Sequence, residues 1–298
     1  MLLPPLKLQR AAFRANFQSA EITDDVQLFK LMLPHLTFFL DATKRCGFVS
    51  EELKDLNKLG GVELKALQGM AAVFAGQAWC DLNHLNLKIG NSGAKVVAEA
   101  LKSSTTRFLN LYNNDIGDEG AEALAASLKS NGNLSRLHLE GNNIGDGGAE
   151  ALAASLKSNG SLQTLWLHSN NIGDGGAEAL AQSLKSNRSL EWLDLHSNNI
   201  GDRGAEASHF EEALAQSLKS NGSLGELSLH SNNIGDRGAE ALAAGLLQNR
   251  SLQYLRLSPF GSSLWLCVGS RGTPGRQALE EAEKIKKERG DDVCIYRE

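Results

Sequence analysis

Six stretches of the chain repeat one sentence, L-x-L-x-x-N-x-I-G-D-x-G-A-E-A-L followed by A-x-S-L-K-S-N. Its marker leucines, Leu109, Leu137, Leu165, Leu193, Leu227 and Leu255, are spaced by 28, 28, 28, 34 and 28 residues. A fixed period of that size makes each unit too small to bury its own apolar face, so the units must stack into a single array. The long step holds a six-residue insertion, Ser208 to Ala213, between Ala207 and Leu214. Six residues turn a helix by about 600° at 3.6 residues per turn, out of phase, so the insertion is expected to bulge or add a turn on the outer side. As a surface insertion it is cheap; a partner contact through His209 or Phe210 is the alternative.

Each letter of the unit has a physical reading. Leucines at L-x-x-L-x-L alternate inward from a short strand, leaving the side chains between them outward. Asn114, Asn142, Asn170, Asn198 and Asn232 stand where the chain leaves the strand, where an amide satisfies backbone groups of the turn and of the neighbouring unit. Ile116, Ile144, Ile172, Ile200 and Ile234 fill the core beneath. Asp118, Asp146, Asp174, Asp202 and Asp236 precede each helix, as caps for its free N–H groups. Gly120 and its equivalents are expected to allow close helix–strand approach. Leu124 and Leu128 share one helix face, and Lys129-Ser130-Asn131 closes the helix with a cation and a residue tolerant of left-handed backbone.

Outside the repeats the text changes. Residues 1–80, with the apolar run Val26 to Leu40 and helical composition over Val62 to Phe74, are expected to form a helical N-terminal cap. Residues 81–257 are the repeats, opened imperfectly by Leu82 to Leu87, with Leu85 only 24 residues before Leu109. Residues 258–298 form a C-terminal cap: an apolar stretch Leu264 to Val268, a charged helix over about Arg276 to Arg289, and a last strand at Val293 to Tyr296.

The unit resembles the ribonuclease-inhibitor class of leucine-rich repeats, and most of all the repeat region of NOD-like receptors. The likeness covers residues 82 to 257. It implies an α/β fold, a right-handed horseshoe solenoid with parallel strands on the concave face and helices on the convex face. It also implies protein or ligand binding, or inhibition of an enzyme by wrapping it. Ran GTPase-activating relatives give a second reading and tropomodulin-like actin or scaffold proteins a third. No nucleotide-binding loop is seen: Gly90-Asn91-Ser92-Gly93-Ala94-Lys95 has the wrong spacing for one.

A net charge of −5 and a pI near 5.9, with no basic run, argue against nucleic acid as a partner. No segment approaches the ~20 apolar residues of a membrane span, and Met1 to Lys7 does not read as a secretory signal. A cytoplasmic protein is therefore expected, with Cys46, Cys80, Cys267 and Cys294 reduced. The five N-x-S triplets, such as Asn133-Leu134-Ser135, then read as by-products of the repeat.

Function is expected on the outward strand positions, which vary while the rest is copied. The candidates for partner binding are Phe108, Tyr112, Arg136, His138, Trp166, His168, Trp192, Asp194, His196, Glu226, His230, Tyr254 and Arg256. Trp166 and Trp192 on adjacent strands are the sharpest pair, because Trp, Tyr and Arg dominate interface hot spots. His168, His196 and His230 form one column. A metal is not expected there, since parallel imidazoles do not converge on one point. Nor do the spacings assemble a nucleophile, base and orienting acid. The expectation is a non-catalytic protein-recognition module without cofactors.

Overall fold

The computed structural model describes residues 78–81, 89–201, 209–257, 274–288 and 294–296. Strands and helices alternate along it. They run β1 (Trp79–Asp81), α1 (Gly90–Leu101), β2 (Phe108–Asn110), α2 (Asp118–Leu128), β3 (Arg136–His138), α3 (Asp146–Leu156), β4 (Thr164–Trp166) and α4 (Asp174–Ser183). There follow β5 (Trp192–Asp194), α5 (His209–Ser220), β6 (Glu226–Ser228), α6 (Asp236–Leu246), β7 (Tyr254–Arg256), α7 (Pro274–Glu288) and β8 (Cys294–Tyr296). The eight strands make one parallel sheet in sequence order. The marker leucines stand in register, Leu109 against Leu137, Leu165, Leu193, Leu227 and Leu255 in turn.

The core lies between sheet and helices. Leu137, Leu139, Ile144, Leu152 and Leu156 of one unit are at most 1% exposed, and every full unit repeats the set. Burying one such side chain is worth ~1.5–3 kcal/mol, so each added layer carries its own stabilisation. Strands pack ~4.8 Å apart and helices 8–10 Å apart, which makes the strand side the inner wall of the curve.

Buried polar groups tie each layer to the next. Asn142 donates from Nδ2 to the Leu111 and Leu139 carbonyls (3.0 and 2.8 Å) and accepts at Oδ1 from the N–H groups of Asn114 and Ile116 (2.9 and 3.0 Å). Asn170, Asn198 and Asn232 repeat the pattern against the layer before them. A second ladder comes from Asn131, Asn159, Asn187, Asn221 and Asn249. Asn159 Nδ2 donates to the Leu128 and Asn131 carbonyls of the preceding unit (2.8 and 3.0 Å), while its Oδ1 accepts from the Ser161 and Leu162 N–H groups. These residues are thus inter-unit bonds; the left-handed position expected at Asn131 lies elsewhere. Positive φ occurs in the turn after the strand, at Asn113, Gly141, Ser169, Ser197 and Ser231.

Three expectations are corrected. The helix-start aspartates do not cap their own helices: Asp118 and Asp146 lie in the first turn, and no side chain caps either helix at its own N-cap. Instead Asp146 Oδ1 accepts from Gly173 and Gly176 of the next unit (2.7 and 3.0 Å), so the carboxylate satisfies the following helix. Asp118 and Asp174 do the same for Gly145 and Gly201, and Asn91 takes this role for Gly117 and Gly120. The repeated helix glycine serves helix–helix contact: a Cβ on Gly148 would lie 2.9 Å from Cβ of Ala121 on the preceding helix, besides 2.8 Å from Ile144 Cγ2 of its own unit.

The third is the partner contact through Phe210 of the insertion. Helix α5 begins at His209, so inserted residues form its first turns, and Leu214 takes the place of Leu124. Phe210 is 1% exposed in the core, which removes it as a partner contact. Glu211 is fully buried with its carboxyl against Gly238, where the aspartates lie in other layers. Residues 202–208, with Asp202, lie outside the described residues, as do residues 1–77 of the expected N-terminal cap.

At the ends, β1 starts ahead of the expected Leu82. Cys80 pairs with Leu109 and fills the leucine slot as a buried cysteine outside any disulfide. The marker position that is leucine in every full unit is thus a cysteine in the opening one. At the other end α7 packs on α6, and β8 extends the sheet beside β7 with Ile295 against Leu255. The stretch Leu264 to Val268 lies outside the described residues. Among the described residues no helix is long and apolar enough to cross a membrane.

Candidate functional site

The inner wall is three residues wide. Its columns start at Phe108, Asn110 and Tyr112 on the first full unit and advance by one strand per unit. Two ring systems run across it. In the first, Trp79 stacks on Phe108 with centroids 3.7 Å apart, and Phe108 meets His138 edge-on at 4.9 Å. His138 stacks on Trp166 at 3.8 Å, and Trp166 meets Trp192 edge-on at 5.0 Å. In the second, His168, His196 and His230 stack at 4.1 Å per step with their planes nearly parallel. Strand spacing near 4.8 Å is the cause: rings in one column sit within stacking distance, and the edge-on steps from Phe108 to His138 and from Trp166 to Trp192 cross between neighbouring columns.

This stacking makes the wall less open than the alternation alone predicts. Phe108, His138 and Asp194 are 7–8% exposed, covered by their neighbours. Trp166, Trp192, His168, His196, Glu226, His230 and Arg256 are half-buried, whereas Arg136, Tyr112 and Tyr254 are exposed. Trp79, at 59% exposed, is the most open large apolar side chain described; sequence reasoning missed it because the opening unit was read from Leu82. The two indole N–H groups of Trp166 and Trp192 are covered and lack a hydrogen-bond acceptor.

Charge is laid between the rings. Asp194 accepts from His196 Nδ1 at 2.6 Å on one oxygen and faces His168 Nδ1 at 3.6 Å with the other. Glu140 faces His138 Nδ1 at 3.7 Å, and Arg256 pairs with Glu226 at 2.9 Å. Burial lowers the His168 pKa against the opposing pull of Asp194, with His196 lowering it further. Burial and the cationic forms of His196, Arg256 and His168 push His230 down to about 4, against the pull of Asp194. Burial raises the Glu226 carboxyl, which Arg256 partly offsets and Asp194 reinforces. His168 and His230 are therefore set toward neutral rings near pH 7.

The strand–turn–helix layers and their leucine register define a leucine-rich-repeat solenoid. Residues 103–125, 130–153, 158–181, 186–207 and 220–243 each match the leucine-rich repeat family, so this part of the chain is built of leucine-rich repeats. Among solved structures, the chain is similar to the actin-binding site 2 of leiomodin-1 at 19% identity and a TM-score of 0.42, covering 65% of this chain and 88% of that one. It is also similar to the tropomodulin C-terminal domain of Caenorhabditis elegans (19%, TM-score 0.39, 57% and 95% covered). A third likeness is to an internalin of Listeria monocytogenes (19%, TM-score 0.38, 63% and 48% covered). No curated protein matches the chain in sequence.

Proposed function

We propose that the chain is a non-catalytic recognition module that binds a protein partner on its inner wall, centred on Trp166 and Trp192. One observation carries the reading: rings from Trp79 to Trp192 run without a break across five strands of an otherwise copied array. Aromatic groups in contact present a large, rigid area whose ordering is already complete, so little side-chain entropy is lost on docking. Tyr112, Arg136, Tyr254 and Arg256 form a polar rim around this centre, the usual anatomy of an interface.

The test is capture of binding proteins from native lysate by the full chain, with Trp166→Ala/Trp192→Ala as the comparison. Partners lost from the double variant, whose unfolding transition stays near wild type, support the site. Capture that persists unchanged refutes it. The same preparation, run in actin cosedimentation and in GTP turnover with small GTPases, tests the tropomodulin-like and GTPase-activating readings.

A further inference from the structure

The inner wall also holds a convergent donor set that the column of histidines alone does not reveal. His168, Asp194 and His196 each offer one ligand atom, and these atoms lie within 4.8 Å of one another. Asp194 supplies the convergence. Its strand places it two residues before His196 on the same face, and it lies diagonally across from His168 on the neighbouring unit. Each ring turns Nδ1 toward a different oxygen of the one carboxylate, at 2.6 and 3.6 Å. Only the shorter is a hydrogen bond, and the covered His168 Nδ1 is left without a partner. A ring nitrogen facing a carboxylate across a gap of that width is where a cation fits.

We propose that His168, Asp194 and His196 bind a first-row divalent transition metal, through two imidazole nitrogens and one carboxylate oxygen. A tetrahedral zinc ion with bonds of ~2.0–2.2 Å holds its ligands ~3.3–3.5 Å apart. His168 Nδ1 stands 3.6 Å from one Asp194 oxygen, within about 0.3 Å of that range, and the 2.6 Å contact of His196 Nδ1 with the other oxygen opens by about 0.7 Å when the ion replaces the shared proton and the carboxylate turns one oxygen to it. The two rings lie 13° from parallel, so both tilt toward the carboxylate on binding. The donor set of imidazole and carboxylate suits zinc, nickel, copper or iron and is poorly matched to calcium or magnesium. Both histidine side chains keep about a fifth of their surface open, which leaves the remaining coordination positions toward the inner wall.

Zinc titrated into the chelator-stripped full chain, followed by calorimetry, tests the site. The expected result is one equivalent bound with micromolar or tighter affinity and a rise in Tm with zinc. His168→Ala/His196→Ala weakens binding at least 100-fold, and so does Asp194→Asn, which keeps the side-chain shape if the double variant fails to fold. His138→Ala, a second inner-wall imidazole beside a carboxylate, leaves binding unchanged. Absence of saturable binding, or undiminished affinity in folded Asp194→Asn, overturns the proposal. The result is independent of partner capture, because the tryptophan variant keeps all three ligands.

Discussion

Replacing Asn170 by alanine is expected to cost about as much as any single change in the array. Its amide donates to the Leu139 and Leu167 carbonyls at 3.0 and 2.9 Å, and its oxygen accepts from the Ile144 N–H at 3.0 Å. Asn170 is 7% exposed, so water cannot replace it freely. Each buried backbone group left unpaired costs ~1–3 kcal/mol, and partial relaxation at three groups gives a loss of about 3–5 kcal/mol. Two of the three groups belong to the preceding unit, so the change weakens the junction between layers, the term that carries cooperativity in a stacked array. Urea unfolding followed by circular dichroism measures the loss, with Asn171→Ala as control, because that neighbouring amide is exposed. The control is expected within ~0.5 kcal/mol of wild type. A loss below about 1 kcal/mol for Asn170→Ala, or equal losses in both variants, would refute the argument that the ladder stabilises the stack.

Three further outcomes are expected. Asp146→Ala removes both bonds to the next helix, to Gly173 and Gly176, and lowers stability by about 1–2 kcal/mol in the same urea assay. Ser169→Gly raises stability by roughly 0.5–1 kcal/mol, since φ of 54° strains a side-chain-bearing residue and glycine already stands there in the unit before; Ser169→Ala gives no gain. For His230, the folded pKa lies near 4, below the ordinary 6.5, so between those values the unfolded chain binds more protons. Its contribution is fully present above pH ~6.5 and is lost as pH falls toward 4; His230→Phe in chelator-containing buffer is expected to flatten that part of the stability profile.

Much of the fold was legible because a repeat states its own period. The leucine register, the isoleucine core, the Asn114-type amides and the last strand beside β7 all follow from residue type and position within the unit. What the text could not convey is which copy a side chain serves. Asp146 stands one residue after Gly145 and 27 before Gly173; both are the same letter of the unit, and packing selects the more distant one. The Asn159-type ladder was hidden for the same reason, its N-x-S setting reading as a turn rather than as a bond to the layer behind. At the inner wall the outward columns were read correctly as to direction, but neighbours one strand away cover one another. Alternation along a single strand cannot express that. Asp194 was visible as a candidate, yet its position between two imidazoles depends on a diagonal across the sheet.

The direction of these bonds gives the stack a head and a tail. Asparagines reach back to the unit before them, and aspartates reach forward to the unit after. Shortening the row therefore exposes different groups depending on the side from which it is cut. Removal from the front strips helices of the carboxylates that hold their amides, while removal from the back leaves those carboxylates in water, where they are content. Engineering a shorter or longer version should add or delete whole units in the middle, so that both original faces remain at the ends.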